Sequence, residues 1–242
     1  MTLAARSLGA QLFPAEALGQ ARAYAAIREC LVAVVVTTRR RVAVQAEDVL
    51  ELYALLLKHG VQLWILGGWG VDALLERQTR PHKDLDAIVA LDDLPAMTAL
   101  LSERGFVLKE IWDENLWVRC DEHVALIGRD APGGAVATAF VLRDVLGREI
   151  DVHVMRFDDH GRGTPAWNST MPFPPDAFAA HGRIAGCLVR CLSAAMQMRT
   201  HTGYALQDKD IQELRLLHER FGVEYLEEHL PLRATQSGQR NA

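Results

Sequence analysis

Two aspartates separated by a single residue are the first feature of this sequence that could do chemistry. Asp84 and Asp86 flank Leu85 at the entrance of an apolar segment, 85–91, that predicts a buried strand. Because side chains alternate along a strand, residues two apart share a face, and the two carboxylates lie side by side. Adjacent carboxylates repel each other unless a proton or cation relieves them, and Mg²⁺ typically takes one or two carboxylates together with substrate phosphates. The pair predicts a divalent-metal site; the alternative is one aspartate that caps a turn and another that is solvated.

A Gly-Gly pair upstream could bind phosphate. Gly67 and Gly68 end the apolar segment 61–66, which predicts a buried strand, and a helical pattern resumes at Trp69. Glycine lets a ligand approach the main chain closely, and the free N–H groups at the start of a helix favour an anion. The pattern predicts a phosphate cradle at these three residues, with a plain structural turn as the alternative.

The order strand, Gly-Gly, short helix and Asp-x-Asp resembles the signature of the nucleotidyltransferase superfamily related to DNA polymerase β. Residues 64–89 (WILGGWGVDALLERQTRPHKDLDAIV) are similar to the lincosamide nucleotidyltransferases and the aminoglycoside 2″-adenylyltransferases. Those proteins carry Gly-Gly-Trp-x-x-Asp and then Thr-Arg-x-His-x-Asp-x-Asp, which is TRPHKDLD at residues 79–86 here. The resemblance is strong over about 46–90, patchy through the next strands, good again over 191–217 and absent from 1–45.

The resemblance implies a fold and a reaction. The fold is α+β, with a mixed β-sheet core flanked by helices and a helical C-terminal segment. The reaction transfers a nucleoside monophosphate, AMP from ATP being the first expectation and another nucleoside triphosphate the second. The acceptor is a hydroxyl of a small molecule, with lincosamide or aminoglycoside antibiotics as the precedent, and pyrophosphate is released. The alternatives are a macromolecular acceptor, tRNA or protein, and a nucleotide-binding module without turnover.

A third carboxylate belongs to the implied site. Asp151 fits it, since it lies between the apolar residues Ile150 and Val152 on a predicted strand, where a charged side chain needs a partner. It is either a third metal ligand or the base that takes the acceptor proton, and both roles stay open. Two Mg²⁺ ions are expected, one held by Asp84 and Asp86 with the nucleotide, the other by Asp86 and Asp151.

Basic groups are needed where charge develops on pyrophosphate. Arg80, His82 and Lys83 precede the aspartate pair, and Lys209 lies at the start of a predicted helix. Arg80 and Lys209 match the family pattern, whereas a solvated charge is the alternative for each of the others. The expected nucleotide-binding set comprises Gly67, Gly68, Trp69, Arg80, His82, Lys83 and Lys209.

The sequence suggests roles for three further side chains. Asp72, in the helix after Gly-Gly, is expected to bond to nearby backbone or to an arginine. His153 shares a strand face with Asp151 and either supports the site or packs. Glu110, in an acidic cluster near Trp112, could attract a cationic acceptor or could be solvated.

The periodicities divide the chain into 1–45, a partly helical extension; 46–160, a catalytic core; and 161–242, a loop plus helical segment. Predicted helices are 46–59, 69–76, 92–103, 193–202, 208–221 and 224–229. Predicted strands are 61–66, 85–91, 106–111, 116–120, 123–127, 137–143 and 148–155, and residues 158–176 are a predicted loop.

Composition limits the partners. The 242 residues are 50% hydrophobic and 24% charged, with a net charge of -5, which indicates a globular protein and disfavours binding to nucleic acid. The longest early apolar run, 30–36, is too short to span a bilayer, for which about 20 residues are needed. The four cysteines and the absence of a secretory leader favour the cytoplasm. A homodimer is expected only by analogy with family members that complete their acceptor site with a second subunit.

Overall fold

The computed structural model describes residues 43–113, 116–119, 139–166 and 171–229. The predicted strand 123–127, most of the N-terminal extension and the polar tail lie outside this part. The helices are α1 (Ala46–Lys58), α2 (Gly67–Leu75), α3 (Leu94–Glu103), α4 (Ala194–Thr200) and α5 (Asp208–Phe221). The strands are β1 (Leu63–Leu66), β2 (Asp84–Ala90), β3 (Val107–Asp113), β4 (Leu116–Arg119), β5 (Ala139–Arg143), β6 (Glu149–Phe157), β7 (Gly163–Pro165), β8 (His181–Ile184) and β9 (Cys187–Arg190). None of the helices in these ranges has the length and apolarity needed to cross a membrane.

A mixed sheet forms the centre of the described residues. Its strand order is β1-β2-β6-β5-β3-β4, with β7 paired to β6. Strands β2 and β6 run parallel, and the other neighbours are antiparallel. The predicted hairpin around Gly147 is confirmed, because β5 and β6 pair on either side of this residue, whose φ is 87°. The α+β expectation is therefore confirmed.

Side-chain alternation separates the two faces of the sheet. On β2, Leu85, Ala87 and Val89 are at most 1% exposed and belong to the main apolar core with α1 and α3. Asp84 and Asp86 point to the opposite face and are only half-buried. Burial of the apolar face thus fixes the orientation of β2, and the aspartates are placed on the face away from this core.

The C-terminal helices pack against α2. Val71 of α2 forms an apolar cluster with Met198 of α4 and with Leu214 and Leu217 of α5. Helix α5 begins with a reciprocal cap in which the Asp210 carboxylate accepts from the Gln207 backbone N–H at 2.8 Å. Because α2 starts at the Gly-Gly turn, this packing brings α5 next to the predicted cradle.

Three features differ from the sequence-based expectation. The predicted helix 224–229 is only a 3-10 turn, Glu227–His229. Helix α2 begins at Gly67 rather than at Trp69. The predicted loop 158–176 contains β7, and the unpredicted hairpin β8–β9 follows it. This hairpin lies against α2, where a Cβ on Gly182 would come within 2.8 Å of the Leu74 backbone nitrogen. Such short strands have little periodicity of their own and depend on this tertiary contact.

Candidate active site

Strand pairing brings together carboxylates that are distant in sequence. In the parallel pair β2–β6, Asp86 lies opposite Asp151, and Asp84 lies opposite Glu149. The ligand atoms of Asp86, Asp151 and His153 all lie within 4.8 Å of one another. Asp84 occupies the same face one step nearer the strand entrance. Asp86 and Asp151 therefore meet, with His153 beside them, whereas Asp84 is not part of this group of ligand atoms.

Burial and repulsion from nearby carboxylates raise the pKa of both central carboxyls. For Asp86 burial is the main cause of the raised pKa, followed by repulsion from Asp151 and Asp84. For Asp151 burial again comes first, followed by Asp84. Burial lowers the pKa of His153, which opposes a positive charge on its ring. The cluster thus holds more acid groups than it can ionise without a counter-charge.

A divalent cation fits this cluster. The buried Oδ1 of Asp151 has no hydrogen-bond partner among the described residues, and His153 Nε2 is 3.5 Å from it. An orphaned carboxylate oxygen in a buried site costs free energy unless a proton or a cation satisfies it. Two carboxylates suit a hard ion such as Mg²⁺, while a neutral imidazole also suits Mn²⁺ or Zn²⁺.

Gly67 and Gly68 lie directly against the site. Gly67 has a φ of 59°, and a side chain at this position would overlap the Asp86 carboxylate. A Cβ on Gly68 would lie 2.7 Å from Arg80 Nη2 and 2.5 Å from His82 Cε1. The absence of side chains therefore lets the turn fit between the Asp86 carboxylate on one side and Arg80 and His82 on the other.

Trp69 and His82 are buried beneath the turn. Each is 2% exposed, and their rings lie 4.7 Å apart. His82 Nε2 donates to Asp72 Oδ2 at 2.5 Å, while Asp72 Oδ1 accepts from the Thr79 hydroxyl at 2.6 Å and from its backbone N–H at 3.0 Å. Asp72 thus has the structural role expected, although with His82 and Thr79 rather than an arginine. Gly68 is buried as well, so Gly67 is the partly exposed residue of this segment.

Arg80 is held by Glu213, a residue that the sequence analysis missed. Its Nε and Nη2 donate to Glu213 Oε1 at 2.9 and 2.6 Å. The other Glu213 oxygen lies 3.1 Å from His201 Nε2. A signal was present in the sequence, because the core-facing positions of α5 are Asp210, Glu213, Leu214 and Leu217, and an acid among them requires a partner.

A second group of cations lies at the entrance of β2 and β6. Lys83 and Lys109 are each 3.0 Å from a Glu149 oxygen, and Arg143 is 3.4 Å from it. Burial would raise the pKa of Glu149, but the hydrogen bonds from Lys109 and Lys83 outweigh this effect and lower it. Lys83 is 68% exposed and also lies 3.8 Å from Asp84. It is therefore available to a ligand at the rim of the site.

Exposed residues at the start of α5 and in the preceding loop form another part of the surroundings of the carboxylates. Lys209 is exposed in the first turn of the helix. Tyr204, in the preceding loop, is 51% exposed. Burial raises the pKa of its hydroxyl, and the negative charges of Asp210, Glu213 and Asp86 raise it further. Tyr204 therefore lies in the field of the central carboxylates.

The chain is similar in sequence to known proteins. Residues 48–128 and 122–217 match the model of the aminoglycoside-2''-adenylyltransferase family. The lincosamide resistance protein of Staphylococcus haemolyticus is 23% identical over 160 residues, which are 65% of this chain and 84% of that protein.

Two solved structures share the fold. The lincomycin-bound lincosamide antibiotic adenylyltransferase LnuA has a TM-score of 0.57 and 22% identity, covering 72% of this chain and 97% of that one. The structure of ANT(2")-Ia in complex with adenylyl-2"-tobramycin has a TM-score of 0.53 and 20% identity, covering 81% of this chain and 98% of that one.

Proposed function

Because the chain belongs to the aminoglycoside-2''-adenylyltransferase family, we propose that it transfers AMP from ATP to a hydroxyl of an aminoglycoside or lincosamide antibiotic. The observation that carries the proposal is the meeting of Asp86, Asp151 and His153 within 4.8 Å, beside the Gly67-Gly68 turn. In the reaction a bond forms between the acceptor oxygen and the α-phosphorus, the bond from this phosphorus to pyrophosphate breaks, and the hydroxyl proton is removed.

Asp84, Asp86 and Asp151 are the proposed Mg²⁺ ligands. When bound, such ions stabilise negative charge on the attacking and leaving oxygens. The unpartnered Asp151 Oδ1 and the crowding of acid groups support this assignment. Asp151 is also the carboxylate that could take the acceptor proton, because it lies at the centre of the cluster with a free oxygen. We assign His153 to the same cluster as a further nitrogen ligand or a neighbour that orients Asp151.

The triphosphate is proposed to lie along the Gly67-Gly68 turn. The main chain of the turn, Arg80 and the exposed amines of Lys83 and Lys209 provide N–H donors and positive charge for its oxygens. We assign Trp69 and His82 a supporting role through the backbone of the turn, because both side chains are buried.

The acceptor is proposed to lie on the acidic face of the sheet beyond Asp151. Glu110 pairs with Val141, and Val141 pairs with Asp151, so Glu110 is two strands from the centre, or about 10 Å. Repulsion from Glu110 also contributes to the raised pKa of Asp151, which agrees with a common face. A carboxylate at this distance would attract the amino groups of a cationic acceptor.

The proposal is tested by measuring pyrophosphate release with ATP, Mg²⁺ and a panel of aminoglycosides and lincosamides, with mass spectrometry of the products. We expect an adenylylated antibiotic from one of the two classes. The absence of product with every member of the panel, while Mg²⁺–ATP still binds, would contradict the proposed acceptor class.

The role of Asp151 is separated by one variant and two measurements. If Asp151→Asn loses turnover but keeps the affinity for Mg²⁺–ATP, its role is that of the base. If both are lost together, its role as a metal ligand is sufficient to explain the defect.

A further inference from the structure

A buried ionic network links Arg80 to the C-terminal helices. We call Arg80, Glu213 and His201 the Arg80 network. Glu213 is 3% exposed and His201 5%, whereas Arg80 keeps 24% of its side chain exposed. Glu213 stands at the centre, with one oxygen bound by the guanidinium and the other by the imidazole. Both oxygens of its carboxylate therefore have a hydrogen-bond partner.

The imidazole is itself fixed on its other side. His201 Nδ1 donates to the Gln197 backbone oxygen at 2.8 Å, and the His201 backbone oxygen accepts from His229 Nε2 at 2.8 Å. Both ring nitrogens face oxygen acceptors, and protonation of the ring would let both of them donate. Burial would lower the pKa of His201, but the hydrogen bonds to Glu213 and Gln197 outweigh it and raise it.

Arg80 remains able to bind a ligand while Glu213 holds it. Glu213 uses the Nε hydrogen and one Nη2 hydrogen, and the Pro81 backbone oxygen accepts one from Nη1 at 3.1 Å. A guanidinium has five N–H donors, so two are left. Its Nη2 also lies against Gly68, within 2.7 Å of where a Cβ would be. The free donor on Nη2 is thus at the edge of the Gly-Gly turn.

From these contacts we infer that Glu213 is a positioning residue for the triphosphate, acting through Arg80, which it holds against Gly68 with two N–H groups left for phosphate oxygens. This inference rests on the proposed function and deepens it. The Asp210 carboxylate also lies within 4.8 Å of the Glu213 and His201 ligand atoms, so the network contributes a fixed orientation of Arg80 rather than a net positive charge. An arginine that is held before binding loses less side-chain entropy when the nucleotide arrives.

Core packing alone does not explain a charged residue at this position. Glu213 lies beside Leu214 and one helical turn before Leu217, both fully buried. A buried ionic network is often no more stabilising than apolar residues of similar volume. What the ionic network adds is orientation, because it holds the partly exposed side chain of Arg80, which comes from another part of the chain, in one position.

The test is a double-mutant cycle on nucleotide binding, which requires no knowledge of the acceptor. Mg²⁺–ATP affinity is measured by calorimetry for the wild type, Glu213→Gln, Arg80→Ala and the double variant. We expect each single variant to bind about tenfold more weakly, the size of a lost charge-assisted hydrogen bond. Because Glu213 acts through Arg80, the double variant should bind no more weakly than Arg80→Ala.

Controls separate positioning from folding. Glu219→Gln makes the same change at an exposed site on α5 and should leave affinity and thermal stability unchanged. In turnover assays Glu213→Gln should raise the KM for ATP and leave the KM for the acceptor unaltered. If Glu213→Gln does not fold, His201→Gln, which removes the charged partner of Glu213, takes its place in the cycle.

The outcomes are distinguishable. Wild-type affinity in a folded Glu213→Gln, or additive losses in the double variant, would overturn the positioning role while the proposed function stands. A wild-type protein that binds no nucleoside triphosphate in the presence of Mg²⁺ would overturn the proposed function, and the inference with it.

Discussion

Asp86 and Asp151 face each other as direct partners across the parallel strands β2 and β6. Their neighbours on each strand are buried apolar residues, so both carboxylates are forced to the same side of the sheet. The parallel register puts the carboxylate oxygens of the two residues close enough to share a cation. Burial and the crowding of acid groups raise the pKa of both carboxyls.

Replacing Asp86 with asparagine should remove turnover. The side chain keeps its shape, but the charge that would hold a divalent cation is lost, and we expect kcat to fall about a thousandfold. Steady-state pyrophosphate release with ATP and the best acceptor measures this effect. Asp92→Asn, just beyond the other end of β2, is the matched control because Asp92 is exposed there. Equal activity of the two variants would refute a metal-binding role for Asp86.

Stability without divalent ions should fall as the pH rises. Burial and neighbouring charges raise the pKa of Asp86 to about 8 and that of Asp151 to about 7, from an ordinary value of 3.8. A carboxyl with a raised pKa in the folded state stabilises the fold below its unfolded value and loses this contribution as the pH passes its folded value. In EDTA, raising the pH from 6 to 9 should therefore lower the Tm of the wild type more than that of Asp86→Asn.

Mg²⁺ should reverse that loss. With the free ion at about a hundred times its Kd, we expect a rise in Tm of about 5–10 °C at pH 9. The rise should be smaller at pH 6, where protons compete for the same oxygens. Thermal unfolding with and without Mg²⁺ at both pH values measures it. An Mg²⁺ effect that is the same in Asp86→Asn as in the wild type would mean that the ion binds elsewhere.

Gly67 should be irreplaceable for a steric reason beyond its backbone angle. Gly67→Ala strains a residue at φ 59° and also drives a methyl group into the Asp86 carboxylate. Gly60→Ala is a matched control, because Gly60 has a φ of 81° but no atom lies within 4 Å of its Cβ position. Both variants should lose about 1–2 kcal/mol of unfolding free energy from the backbone alone.

Only the Gly67 variant should also lose activity. A displacement of the carboxylate by about 1 Å is expected to lower kcat about a hundredfold. Urea unfolding and turnover assays on both proteins separate the two effects. Full activity in Gly67→Ala would show that the close approach to Asp86 is not required.

The Asp72–His82 pair should stabilise the loop between α2 and β2. Asp72→Ala leaves His82 and the Thr79 N–H and hydroxyl without their buried partner, and we expect a loss of about 3 kcal/mol in the free energy of unfolding. Urea unfolding of Asp72→Ala, His82→Ala and the double variant should give a coupling energy of about 2 kcal/mol. Gln78→Ala, at an exposed site in the same loop, should change stability by less than about 0.5 kcal/mol. Purely additive losses would contradict a direct interaction.

The amino-acid sequence by itself determined the local parts of the site. Alternation on β2 put Asp84 and Asp86 on one face, because Leu85, Ala87 and Val89 have to enter the core. The Gly-Gly interruption marked the turn, and the helical periods of α1, α3 and α5 were recognisable from their apolar spacing. These features depend on residues within a few positions of each other, which is why a pattern reveals them.

Tertiary structure decided how distant groups contact each other. The family resemblance implied that Asp151 joins Asp86, but only the register of β2 against β6 makes the two direct partners, since pairing between strands far apart in sequence leaves no local signal. It also buried Trp69 and His82 under the turn instead of exposing them. Glu213 reaches Arg80 only because α5 packs against α2, so the residue that holds Arg80 was recognisable in the sequence merely as an acid on an apolar helix face.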